Sequence, residues 1–102
     1  MPEKYRVEIT SIAEKDVEEL WEYIAKENIE VANSFVLHLE EQIERLENFP
    51  LRCLLLPENE LLGTEYRHYL HGKYRIIFGI TGSRVIILRV LHTARMLDTE
   101  ML

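Results

Sequence analysis

The chain has 102 residues, 47% of them hydrophobic and 29% charged, with a formal net charge of −6. That is enough apolar material for one buried core, too much for a disordered chain, and too little for two independent domains, so a single domain over 1–102 is expected. The acidic balance excludes a nucleic-acid binder coated uniformly in cations, and the lone Cys53 excludes both an internal disulfide framework and a cysteine-based zinc site. Apolar runs such as Val85–Leu88 fall far short of the roughly 20 residues of a membrane span. The start, which alternates charged and apolar residues, does not read as a signal peptide. The expectation is a soluble cytoplasmic protein with no membrane association and no cofactor.

The charges are segregated along the chain. Residues 1–65 hold sixteen acids and six bases, whereas residues 66–97 hold no acid and six bases: Arg67, Lys73, Arg75, Arg84, Arg89 and Arg95. Three of the four histidines, His68, His71 and His92, lie in that second block. Such a sequence predicts a molecular dipole with one cationic wall.

Tyr5–Ile9 alternates apolar and polar residues, the period-2 pattern of a half-buried strand. Thr10-Ser11 offers a helix N-cap, with Glu14 completing a capping box from Ser11. Ala13, Val17, Leu20, Trp21 and Ile24 then follow helical spacing, and this helix should fade near Asn28. A second amphipathic run carries Val31, Ala32, Phe35, Leu39, Ile43 and Leu46 on one stripe and stops at Pro50. Residues 48–64, with Pro50, Pro57, Asn59 and Gly63, read as a long irregular connection. Three strands follow, Glu65–Leu70, Lys73–Ile80 and Arg84–Leu91, joined by turns at His71-Gly72 and Thr81-Gly82-Ser83. The fold class is therefore α+β: an N-terminal strand, a two-helix hairpin and a three-stranded antiparallel meander in one sheet of about four strands, with the helices on one face.

Alternation assigns the strand faces. Arg67 shares a face with Tyr69, and Arg75 shares one with Lys73 and Ile77, while Tyr74, Ile76, Phe78 and Ile80 turn toward the helices. Val85, Ile87 and Arg89 fall opposite Ile86, Leu88 and Val90. Arg67, Arg75 and Arg89 are thus expected to converge on the uncovered face, with Lys73 beside them, as an anion-binding cluster. His68 and His71 flank a turn without a third ligand, so no metal site is expected.

The ordered set Tyr5-Arg6-Val7, Ala13, Asp16-Val17, Tyr23-Ile24-Ala25, Leu46 through Phe49-Pro50, Arg67, Tyr74–Phe78 and Val90–Arg95 resembles the RelE/ParE family of toxins from bacterial type II toxin–antitoxin (plasmid stabilisation) modules. The closing stretch, Val90–Arg95, is more similar to the ParE branch. This resemblance implies a toxin that inhibits DNA gyrase through a protein interface and is neutralised by a cognate antitoxin. A RelE-like resemblance implies instead a metal-independent endoribonuclease acting on mRNA at the ribosome. In that case Arg67, Arg75 and Arg95 would hold phosphate and His92 would transfer the proton. A non-toxic binding module of the same fold is the third reading, and a homodimer is a further assembly left open.

Overall fold

The computed structural model describes residues 4–101, and the elements appear in the expected order. Strand β1 spans Arg6–Ile9 and leads into helix α1, Ser11–Ala25. The cap of α1 falls one residue earlier than the capping-box pattern suggests: Thr10 Oγ1 accepts the Ala13 amide at 3.1 Å and donates to the Leu88 carbonyl at 3.2 Å. One hydroxyl thus satisfies an orphan helix donor and ties the helix start to the sheet. Thr10→Ala is expected to lower unfolding free energy by about 1 kcal/mol in urea denaturation, with Thr10→Ser restoring most of it.

Helix α2, Ile29–Arg45, begins after a turn of three residues because Asn28 Oδ1 caps it, accepting the Val31 amide at 3.0 Å. The helix ends at Arg45, and Pro50 opens a short 3-10 turn over Pro50–Arg52. The connection after it is not structureless. Leu54–Leu55 form a two-residue strand, β2, and Asn59–Leu62 a single helical turn, α3. Asn59 organises this stretch: its Nδ2 donates to the Tyr66 carbonyl at 2.9 Å, and its Oδ1 accepts the Thr64 hydroxyl at 2.8 Å and the Tyr66 amide at 3.0 Å.

Strands β3 (Arg67–His71), β4 (Tyr74–Thr81) and β5 (Arg84–His92) form the expected meander. Each hairpin turns on a glycine in the left-handed region, Gly72 at φ 59° and Gly82 at φ 60°, which a residue with a Cβ adopts only under strain. Among the described residues the sheet has five strands rather than four, in the order β1-β5-β4-β3-β2. The helical hairpin carries the chain across one face, so β1 lies parallel to β5, with Val7 opposite Val85 and Ile9 opposite Ile87.

Both faces of the sheet are covered, which corrects the expectation of a bare one. On the helix side Ala13, Leu39, Ile43 and Leu46 pack on Ile76, Phe78, Val85, Ile87 and Val90. On the other side Leu56, Ile77, Leu91 and Leu97 form a second cluster, with Leu62, Tyr66, Leu88 and Met101 against it. The cover of that second face comes from the irregular 56–66 stretch and from the C-terminal segment after β5, whose apolar residues carry no periodic signal.

Candidate functional site

Register decides where the cationic side chains go. Arg67 lies opposite Phe78, and Arg75 lies opposite Leu91. Directly opposed residues share a face, so Arg67 projects to the helix side with Phe78 while Arg75 projects to the other side with Leu91. A bulge at Ile77/Phe78 pairs these residues with Arg89 and Ile87 and leaves Leu88 between them. Beyond it the alternation of β5 is reset, and Val90, expected opposite Val85 and Ile87, joins them in the helix-side core. Arg67, Arg75 and Arg89 therefore do not converge.

Each of these arginines is engaged within the chain. Arg89 makes a two-pronged pair with Asp16 of α1, Nε to Oδ2 and Nη2 to Oδ1, both at 2.8 Å. Its Nη1 donates to the Met101 carbonyl at 2.8 Å, and Asp16 Oδ2 also accepts the Val90 amide at 3.0 Å. Arg75 is buried and forks onto the buried carboxylate of Glu58, with Nη1 to Oε1 at 3.1 Å and Nη2 to Oε2. Nη2 also donates to the Arg95 carbonyl at 2.6 Å, and Glu58 Oε2 accepts the Leu97 amide at 2.9 Å. The Arg75 hydrogen bonds, helped by the Leu97 amide, outweigh burial and hold the Glu58 carboxyl down at about 2. Arg67 Nη1 donates to the carbonyls of Cys53 at 2.7 Å and Leu51 at 3.3 Å, fixing the turn before β2.

Half of the six cations in the acid-free block are thus paired with acids from outside it. Arg75, Arg84 and Arg89 of the acid-free block meet Glu58, Glu8 and Asp16 of the acid-rich one. The cationic wall is not assembled.

The remaining candidates lie at the end of β5. Lys73, His92 and Arg95 line a cleft of about 430 Å³ with Asp16, Glu19 and Tyr23. His92 stacks edge-on against Tyr74, ring centroids 5.5 Å apart, and its Nδ1 accepts the Ala94 amide at 3.0 Å. That bond places the proton of a neutral His92 on Nε2. His68 lies elsewhere, its Nδ1 3.4 Å from Arg75 Nη1. Burial first, and then the Arg75 guanidinium, lower its pKa below the ordinary value, against a smaller opposing pull from Glu58. Burial raises the Cys53 thiol, against a smaller opposing pull from Arg67, and so disfavours a thiolate nucleophile. Among the described residues no group of three or more His, Cys, Asp or Glu side chains is placed to hold a metal ion, and no helix is long and apolar enough to cross a membrane.

Glu58 and Asp16 are the two determinants that the charge pattern did not reveal. Asp16 carried a signal: it lies three residues after Ala13 and four before Leu20, on the apolar stripe of α1, where a carboxylate requires a partner. Glu58, inside an aperiodic stretch, carried none.

Solved structures share this architecture. A chain of a chromosomal ParDE toxin–antitoxin system from P. aeruginosa superposes with a TM-score of 0.71 at 20% identity, over 87% of this chain and 96% of that one. A chain of the RelBE2 toxin–antitoxin complex from Mycobacterium tuberculosis gives a TM-score of 0.66 at 26% identity, over 93% of this chain and 98% of that one. The helical hairpin over the β1-β5-β4-β3-β2 sheet is thus the fold of the RelE/ParE-type toxins. No curated protein matches the sequence. The profile of the ParE toxin of type II toxin–antitoxin systems, parDE, matches residues 7–97, and the chain belongs to that family.

Proposed function

We propose that this ParE-family toxin acts by binding a macromolecular target, DNA gyrase, and that a cognate antitoxin neutralises it in the cytoplasm. The observation that carries this reading is the engagement of Arg75. A ribonuclease built on Arg67, Arg75, Arg95 and His92 would need guanidinium groups free to meet a phosphorane, whereas Arg75 is buried against Glu58 and Arg67 is bonded to backbone carbonyls. Interface-driven inhibition needs no such centre. Lys73, His92 and Arg95 in one cleft favour the RelE-like ribonuclease as the second reading.

Induced expression without an antitoxin separates these readings. Gyrase inhibition predicts growth arrest with filamentation and DNA-damage signalling, intact mRNA, and toxicity retained in His92→Ala. Loss of specific mRNAs on chromosomes that stay intact, abolished by His92→Ala or Arg95→Ala, would replace it with the ribonuclease. Unimpaired growth at full expression would leave a binding module without toxicity.

A further inference from the structure

Two adjoining clefts lie where α2 ends. One, of about 580 Å³, is lined by Lys4, Tyr5, Phe49, Leu51, Arg52 and Ser83 among others. The other, of about 380 Å³, lies between the end of α2 and β3 and includes Leu46, Phe49, Arg52, Leu54, Tyr69 and Leu70. Phe49 and Arg52 belong to both, with the Arg52 guanidinium 4.4 Å from the Phe49 ring centroid. Phe49, Leu51, Leu54, Leu55 and Leu70 are each more than half exposed, a concentration of apolar surface that marks interaction sites.

Among the described residues neither cleft has an acid in its lining, although the chain as a whole carries −6. Among the described residues Arg52 and Arg45 make no ion pair. Arg45 borders Glu41 and Glu44 on its other flank, which leaves Arg52 the less compensated cation.

The backbone beside the second cleft is unpaired as well. Among the described residues strand β2 pairs only with Arg67 and His68, because the chain turns away at Cys53. The Leu56 amide donates to the Tyr66 carbonyl at 3.0 Å. The antiparallel alternation set by that bond turns the N–H and C=O of His68 and Leu70 toward the outer edge of the sheet. On that outer side His68 is covered by β2 at Leu54, whereas Leu70, paired with Arg75 on its inner side, has no outer strand partner among the described residues.

We infer that the Leu70 edge and the Phe49–Arg52 clefts form a docking site for an extended segment of a protein partner, in which apolar side chains alternate with carboxylates. The segment continues the line of β2, pairs its backbone with Leu70, places apolar side chains against Phe49, Leu54 and Tyr69, and sets its carboxylates at Arg52. A second copy of this chain is the poorer occupant, since a two-fold contact would bring Arg52 against its own image. The assignment of this segment to the antitoxin rests on the toxin reading; the surface itself does not.

The test uses the full chain and a synthetic nonapeptide alternating valine with glutamate, alongside a counterpart with lysine for glutamate. The expected result is amide chemical-shift changes at Arg52–Leu55 and His68–His71 with the glutamate peptide, slowed hydrogen exchange at Leu70, and weakening by salt. The lysine peptide should leave these amides unmoved. Arg52→Glu is expected to reduce affinity about tenfold with an unchanged circular dichroism spectrum, a solvent-facing substitution that leaves the core intact. No shift at these amides, or equal shifts with the lysine peptide, overturns the proposal. So does a concentration-dependent dimer in sedimentation that Leu54→Asp abolishes. Growth arrest in the expression experiment is independent of all these outcomes, so failure of the surface and failure of the toxin reading are told apart.

Discussion

Glu58→Ala is expected to destabilise the protein by about 3–5 kcal/mol, the cost of leaving a buried charge without its partner. Glu58 accepts both prongs of the Arg75 fork and the Leu97 amide, so its loss strands a buried guanidinium and a backbone donor together. Arg75→Ala should cost a similar amount, leaving a buried carboxylate. Urea denaturation of the two single variants and of Glu58→Leu/Arg75→Met checks this. The double variant is expected to recover much of the loss, because removing both charges also removes their desolvation penalty. The same pair latches the C-terminal segment through the Arg95 carbonyl and the Leu97 amide. Limited proteolysis should therefore cut after residue 92 sooner in Glu58→Ala than in the wild type.

The pair also predicts a pH dependence. The Glu58 carboxyl titrates at about 2 in the folded chain against 4.5 for the unpaired group. A carboxyl whose folded pKa is depressed stabilises fully above the unfolded value, and that stabilisation is lost as pH falls toward the folded one. The stability gap between wild type and Glu58→Gln is thus expected to be constant from pH 7 to about 5 and to shrink between about pH 4.5 and 2. A gap unchanged at pH 2.5 would contradict the assignment.

Asp16→Ala is expected to cost about 3 kcal/mol, because three donors from β5 depend on one carboxylate: Arg89 Nε, Arg89 Nη2 and the Val90 amide. Asp16→Asn keeps an acceptor for one of them and should lose roughly half as much. Arg89→Ala should lose less than Asp16→Ala, since Asp16, lying nearer the surface than Glu58, retains the Val90 amide. Thermal denaturation ranks the three variants, and hydrogen exchange at Val90 separates them: faster in Asp16→Ala, little changed in Arg89→Ala. Equal exchange in both would mean that the Val90 amide is protected by the strand ladder alone.

Much of the architecture was legible in the sequence because it is encoded locally. The apolar spacing of Ala13, Val17 and Leu20 and that of Ala32, Leu39 and Ile43 recorded two helices with one buried stripe each. In β4 alternation alone sorted Ile76 and Phe78 toward the helices and Ile77 away from them. The site was less legible. Arg67 and Arg75 were each assigned correct neighbours within their own strands. Which faces of two strands coincide depends on register, and a shift of one residue reverses every side chain. The cover of the second face was invisible for a related reason: Leu56, Leu97 and Met101 come from irregular segments with no repeating spacing to betray burial.

The sequence by itself determined the order and kind of β1, α1, α2 and the three-stranded meander, the glycine turns at Gly72 and Gly82, and membership of the ParE family, since each resides in short-range pattern or in ordered motif. Only the tertiary structure decided that β1 lies parallel to β5, that a bulge moves Val90 into the core, and that Arg75, Arg84 and Arg89 of the acid-free block pair with acids from the rest of the chain. The physical reason is separation along the chain. Arg89 and Asp16 are 73 residues apart, and Arg75 and Glu58 are 17 apart. Charges so placed meet only once packing has set the register and brought α1 and the 56–66 stretch against their strands. Three cations of the run therefore became ion pairs, Arg75 and Arg89 with little exposure and Arg84 at the surface, while the surface proposed for a partner is the apolar, cation-bearing end of α2.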